Sequence, residues 1–217
     1  MQKDNYNDET NLRTLIETHI SHHIGKFDLI LHPRESAELH IDICVVPPSA
    51  ERNFYTLVTN GMSQLPLYNE TDAGLQEVYL ELMLALPADW PLTAEGILDA
   101  NNFWPIEWLQ RLAIYPHLND IFLGLGDSIP NGDPAEPLAA NTELCGFIIG
   151  LPTLVDKEFV FLQTDAAEVT FLALLPVYAD ELLFKLEEGA EAFLDAAEDA
   201  GLTELIDTKR APIVSQI

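Results

Sequence analysis

The chain has 217 residues, 48% of them hydrophobic, enough for an ordinary core and too many for an intrinsically disordered protein. Asp and Glu number 36 against 10 Lys and Arg, a formal net charge of −26. A surface of that sign repels nucleic acid and anionic membrane, whose phosphates need Lys and Arg, and it attracts a basic protein.

In chain order, the first predicted element is a helix over Asp8–Ile24. Leu12, Leu15, Ile16, Ile20 and Ile24 form its apolar stripe, and Gly25 stands where a helix-stopping glycine belongs. FDLIL (27–31) reads as a short strand. ELHIDICVV (38–46) alternates cleanly, with Leu39, Ile41, Ile43 and Val45 on one face. NFYTLVT (53–59) is a strand that stops at Asn60-Gly61. EVYLELMLAL (77–86) is another, with Val78, Leu80, Leu82 and Leu84 facing one way. Short connections between these runs favour antiparallel pairing.

PLTAEGILDA (91–100) then suggests a short helix opened by Pro91. NNFWPIEWLQRLAIYPH (101–117) contains a second, with Pro105 near its first turn and Pro116 at its end. DIFLGLG (120–126), CGFIIGL (145–151), FVFLQT (159–164) and EVTFLALLP (168–176) read as strands. From Tyr178 to about Ala200 the pattern is helical, with Gly189 a candidate break. On a helical wheel Asp180, Glu181, Glu187, Glu188, Glu191, Asp195, Glu198 and Asp199 fall within about 120°, opposite Leu182, Leu186, Ala190, Phe193 and Ala197. The expected fold is α+β: an α/β sandwich whose central mixed, largely antiparallel sheet is covered by helices. With no internal repeat and no linker, residues 1–217 are expected to form a single domain with an acidic C-terminal helical segment from about 178.

The candidate chemistry is thin. Gly124-Leu125-Gly126-Asp127-Ser128 evokes a serine nucleophile after a strand, but the bases available (His19, His22, His23, His32, His40 and His117) all precede Ser128, and the order fails. The same loop lacks the Gly-Lys-Ser/Thr ending of a phosphate loop, and Asp127 and Asp133 would repel phosphate. His19, His22 and His23 share a helix, and His19 and His23 are spaced to share a metal. The plainer reading is that they border the apolar stripe and are satisfied locally. The carboxylates lack calcium-loop spacing, and Phe103, Trp104 and Trp108 read as core. No catalytic residue, metal site or cofactor is therefore assigned. The competing readings are a small serine or metal-dependent hydrolase built on His117, Asp127 and Ser128 or on the histidine cluster, and an acidic scaffold or regulatory binding protein.

The polar start MQKDNYNDET has no signal-like apolar core. The longest apolar uncharged run, near 144–155, is too short for a bilayer and is broken by Pro152. Cys44 and Cys145 are expected to be free thiols. A cytoplasmic protein is the expectation.

Three segments together carry a resemblance: 42–67, 81–90 and 101–138. They contain Thr59, Gly61, Met62 and Ser63 as a Thr-x-Gly-Met-Ser turn, and Leu86, Pro87 and Trp90 as a Leu-Pro-x-x-Trp strand end. Trp104, Pro105, Trp108 and Leu109 make a Trp-Pro-x-x-Trp-Leu helix, followed by Pro116-His117 and by Ile129, Pro130, Asn131, Gly132 and Pro134. The ordered set resembles the suppressor of fused-like domain family, as a bacterial single-domain member, over roughly 15–185. One departure stands out, since Gly126-Asp127-Ser128 occupies the place where the family usually reads Gly-His-Thr. The resemblance makes the loop structural, with Gly124, Gly126 and Gly132 supplying unusual dihedrals and Pro130 and Pro134 fixing φ.

The resemblance further implies a non-enzymatic protein-binding module. Eukaryotic members bind zinc-finger transcription factors of the Hedgehog pathway, and bacterial single-domain members are similar to immunity proteins that neutralise a cognate toxin. A basic protein partner, a toxin in the sharpest form, would meet Glu188, Glu191, Asp195 and Glu198. Gly61, Trp104, Pro105, Trp108, Pro130, Asn131 and Gly132 are the structural signature. The sequence leaves the partner's identity and the oligomeric state open.

Overall fold

A computed structural model describes residues 4–27, 29–32 and 39–216, with side chains from residue 12 to 214. The predicted strands 27–31 and 38–46 each include a residue, Asp28 and Glu38, outside that set. Among the described residues a 9-stranded sheet runs in the order β1-β2-β3-β5-β9-β7-β6, with β4 on β5 and β8 on β9. These strands are β1 (Leu29–Leu31), β2 (Asp42–Val46), β3 (Phe54–Asn60), β4 (Leu67–Thr71), β5 (Gly74–Pro87), β6 (Ser128–Pro130), β7 (Gly146–Gly150), β8 (Phe161–Gln163) and β9 (Glu168–Val177). Pairing is antiparallel except between β5 and β9, where Tyr79 sits opposite Val169 and Met83 opposite Ala173. The sheet is thus mixed and largely antiparallel, as expected.

The two-residue alternation of the central strands feeds a core on each face. Leu80, Leu82, Leu84 and Leu86 of β5 join Ile43 and Val45 of β2 and Leu172 and Leu174 of β9 on one side. Met83 of β5, Cys44 and Val46 of β2, and Phe171, Ala173 and Leu175 of β9 join on the other. Helix α2 (Ala100–Asn119) covers the first face through Trp104, Ile106, Leu109 and Ala113. Helix α1 (Asp4–His23), through Ile16 and Ile20, covers the second. It shares that face with α3 (Ala179–Glu188) and α4 (Ala190–Asp199), which contribute Leu182, Phe193 and Ala197. The result is a three-layer sandwich. No described helix is long and apolar enough to cross a membrane.

Several local expectations are corrected. Residues 120–126 are not a strand: Asp120 caps α2 with φ 51°, Gly126 turns at φ 84°, and regular pairing starts only at Ser128. The apolar run there packs as a turn because Gly124 and Gly126 interrupt the ladder. Residues 91–99 contain only a 3₁₀ turn at Gly96–Leu98, and α2 starts at Ala100 behind its N-cap Asp99, whose carboxylate accepts from Asn101 N at 2.9 Å. Pro105 therefore lies inside the helix. It cannot donate to the Asn101 carbonyl, and Asn141 Nδ2 supplies that bond instead at 2.9 Å. Pro116 does not end the helix, which runs to Asn119. The hairpin strand β4 and the short β6 escape the sequence reading.

The C-terminal helix does break at Gly189, with φ 94° and ψ 170°. The break resets the helical phase. Glu181, read as outward, is fully buried, whereas Leu186, read as inward, is 73% exposed.

Candidate protein-binding surface

Several of the signature residues sit at turns and packing contacts of the fold. In the Thr-x-Gly-Met-Ser turn both hydroxyls and the N–H groups of Gly61 and Ser63 point at one buried carboxyl, that of Glu81 in β5, while Asn60 Nδ2 turns to Arg13 O at 3.3 Å. Thr59 Oγ1 and Ser63 Oγ each donate to it at 2.6 Å, Gly61 N at 2.9 Å and Ser63 N at 3.1 Å. Gly61 holds φ at 136°, and a Cβ there would collide with the His40 carbonyl and the Arg13 guanidinium. Trp104 and Trp108 are buried in the core under α2. Trp90 meets Trp104 edge-on at 6.2 Å between centroids, and Arg111 lies over Trp108 at 4.4 Å. Asn131 closes the Pro-rich loop: its Nδ2 donates to the Glu136 and Pro137 carbonyls at 3.1 and 2.8 Å, and its N donates to Cys145 O at 2.8 Å. Gly132 turns at φ 96°. Gly126 packs so closely that a Cβ would lie 2.7 Å from that of Ala190, so the loop is seated against α4. Gly124, expected to be unusual, is not among the positive-φ glycines; a Cβ there would meet the Phe122 ring.

Two further carboxyls work in the same way, and the sequence reading missed both. Glu181 forms a two-pronged pair with Arg210, at 2.5 and 2.6 Å, and also accepts from Tyr178 N and Ile213 N at 2.8 Å each. Glu204 accepts from Thr153 Oγ1 at 2.8 Å and Leu154 N at 3.0 Å. For Glu81 the available signal was a single Glu inside an apolar run, LELML, which a purely outward acidic surface does not explain; Glu181, next to Asp180, carries no such mark.

Two residues of the hydrolase reading are engaged elsewhere: Ser128 Oγ accepts from Lys185 Nζ at 3.3 Å, and Asp127 Oδ2 accepts from Gly124 N at 2.7 Å. His117 is half-buried, and its Nε2 has no hydrogen-bond partner among the described residues. Burial pushes the Cys44 thiol up to about 12, with Glu17, Glu81 and Asp42 adding to it, and burial raises Cys145 too. Neither offers a thiolate at neutral pH.

His19 is likewise occupied. Its Nε2 lies 2.9 Å from Phe159 O, and its ring stacks on Phe159 and Phe171 at 5.1 and 5.3 Å. Burial is the main cause that lowers its pKa below the ordinary 6.5; the Phe159 bond opposes that, while His23 and His22 add to it. The unfolded chain then binds a proton that the folded chain refuses, so this group subtracts stability as pH falls below about 6.5. We expect wild type to lose more stability than His19→Gln between pH 7.5 and 5.5, as read by urea midpoints at each pH. An equal change in both would show that His19 contributes nothing.

What remains for a partner is the surface. On α4, Glu191, Asp195 and Glu198 recur at i, i+4 and i+7 and all are exposed, while Phe193 and Ala197 point inward. Glu188 ends α3 across the Gly189 break and is also exposed. Asp180, Glu187 and Asp199 are exposed as well, and no ion pair among the described residues involves any of these acids. Lys185 is the one basic residue between 179 and 199. A second feature lies by the end of α2, where Leu65, Tyr68, Leu75 and Ile121 line an open groove of about 670 Å³ beside His117.

A three-layer sandwich whose signature turn wraps a buried glutamate, with unneutralised acids outside, defines an α+β domain of the suppressor of fused type. The sequence profile described as "Suppressor of fused protein (SUFU)" matches residues 37–211. The chain belongs to that family. Its fold is similar to that of a SUFU homologue from Neisseria gonorrhoeae FA 1090, at 22% identity and TM-score 0.66, covering 94% of this chain and 97% of that one. It is similar to the Sufu–Fu complex structure at 16% identity and TM-score 0.63, with 96% and 93% covered. Drosophila Suppressor of Fused matches at 17% identity and TM-score 0.55, over 82% of this chain and 43% of that one. No curated protein matches by sequence.

Proposed function

We propose that the chain acts as one non-enzymatic protein-binding unit. Its partner is a basic protein, in the sharpest form a toxin that it neutralises, and its docking face is the acidic outer side of α3 and α4. The observation that carries this reading is the set Glu188, Glu191, Asp195 and Glu198, exposed and left without ion pairs by the fold. Acidic surfaces also keep proteins soluble. Here, however, seven exposed acids, Asp180, Glu187, Glu188, Glu191, Asp195, Glu198 and Asp199, lie within 20 residues on α3 and α4, a local density that complements a basic partner. A relative of similar fold is known in complex with Fu, which supports protein binding as the kind of work the fold does. Two buried free cysteines support a cytoplasmic setting.

The test is charge reversal of Glu188, Glu191, Asp195 and Glu198 to lysine. All four are exposed, so the fold should survive, and circular dichroism checks that it does. Affinity for the basic protein should fall at least a hundredfold, and wild-type affinity should fall with rising salt. Unchanged affinity would move the interface elsewhere. The apolar groove lined by Leu65, Tyr68, Leu75 and Ile121 is the second reading, favoured by its exposed apolar rim. It would show binding that is insensitive to salt.

A further inference from the structure

Three side chains converge at the edge of the sheet that none of the preceding chemistry uses. Strands β1 and β2 pair with Leu31 opposite Ile43, so one more step in register brings His32 beside Asp42. His40 precedes Asp42 by two residues, the spacing that puts extended-chain side chains on one face. His32 Nδ1 lies 2.7 Å from Asp42 Oδ1, and His40 Nε2 lies 2.8 Å from the same oxygen. One ligand atom from each of the three falls within 4.8 Å of the others. Both imidazoles are open to solvent, at 66% and 53% side-chain exposure, whereas Asp42 is 16% exposed.

We propose that His32, His40 and Asp42 form a binding site for a divalent transition-metal ion of the zinc class. Two imidazole nitrogens and one carboxylate oxygen are a donor set that zinc, cobalt and nickel take readily and that magnesium does not. Tetrahedral zinc with bonds of about 2.0–2.1 Å needs its donors about 3.3 Å apart. The two imidazoles sit slightly closer than that to Asp42 Oδ1, while the three donor atoms are bounded only by 4.8 Å, so an ion enters when the exposed rings move roughly half an ångström from that oxygen and turn their nitrogens toward each other. The carboxylate itself is held still. Its Oδ2 accepts from Arg13 Nη1 at 3.1 Å, and Arg13 is anchored in turn on the carbonyls of Asn60, at 2.8 Å, and His40. Such support behind a ligand fixes its orientation, while the positive charge of Arg13 moderates the affinity. Three protein donors leave a fourth position for water or for a donor from outside. The pattern is hard to see in sequence, because His32 and His40 become neighbours only through the β1–β2 pairing.

The experiment is titration of the metal-free full chain with Zn²⁺ against a chromophoric chelator, and with Co²⁺ followed by visible absorption. His32→Ala and His40→Ala are suitable probes because both rings are exposed and carry no core contact. One equivalent of Zn²⁺ is expected, bound at least tenfold more weakly by each variant. The Co²⁺ adduct should show tetrahedral d–d bands, and Zn²⁺ should raise the Tm of wild type but not of His40→Ala. Mg²⁺ should do neither. Absence of saturable one-to-one binding would overturn the proposal. So would binding that survives both variants and is lost in His22→Ala/His23→Ala, which would put the ion on α1.

Discussion

Glu81→Leu should destabilise the protein by roughly 3–5 kcal/mol, one of the two largest single-residue effects expected here. Glu81 is fully buried and forms no ion pair among the described residues. What holds it is a ring of donors: the Thr59 and Ser63 hydroxyls and the backbone N–H groups of Gly61 and Ser63, with Met62 N more distant at 3.4 Å. Leucine keeps the volume but leaves those backbone donors buried without an acceptor, at about 1–3 kcal/mol each. The donors cannot rearrange easily, because Gly61 already sits at a φ open only to glycine. Glu81→Gln should cost less than Glu81→Leu, since one oxygen remains, and Ser63→Ala should cost about 1 kcal/mol. Urea unfolding of the three variants gives the ranking. A Glu81→Leu loss below about 1 kcal/mol would mean that the turn does not depend on this carboxyl.

The second large effect is at Arg210. Arg210→Met should destabilise by about 3–5 kcal/mol, because it strips the partner from a fully buried carboxyl. The guanidinium also donates to Pro176 O at 2.7 Å and lies over the Tyr178 ring at 4.7 Å. Tyr178 Oη returns a bond to Arg210 O at 2.7 Å, so the segment after α4 is fastened to the end of β9. The diagnostic variant is the double one. Arg210→Met with Glu181→Met removes both members of the pair and should be more stable than Arg210→Met alone. A double variant as unstable as the sum of the two singles would show that the pair is not the fastening.

The sandwich was legible in sequence because a sheet of this kind writes its alternation into β2, β5 and β9. The faces were legible too: Leu80, Leu82 and Leu84 do share one core. What alternation could not show is that Met83 joins the core on the other side and that Ala85 is buried as well, since a helix layer on each face leaves the second half of β5 largely apolar around Glu81. β4 was missed because LYNET alternates buried and exposed positions with little β-branched character. The run at 120–126 misled for the opposite reason, being apolar but cut by glycines.

The acidic ridge was legible at Glu191, Asp195 and Glu198, which share one short helix. It was not legible at Glu181 or Leu186, because a wheel drawn through Gly189 assumes a phase that the break destroys. The partners of Glu81 and Glu181 are illegible for a different reason. They are hydroxyls, backbone N–H groups and an arginine 29 positions away, and no composition or period records those.

The central claim is that a basic protein docks on the ridge of α3 and α4. The most direct measurement is a quantitative capture from host lysate at low and at high salt, run in parallel with wild type and with the chain carrying lysine at 188, 191, 195 and 198. The expected result is one basic protein retained by wild type at low salt, released at high salt, and not retained by the reversed chain. Equal retention by both chains, or by neither from lysate known to contain the neighbouring gene products, would contradict the claim.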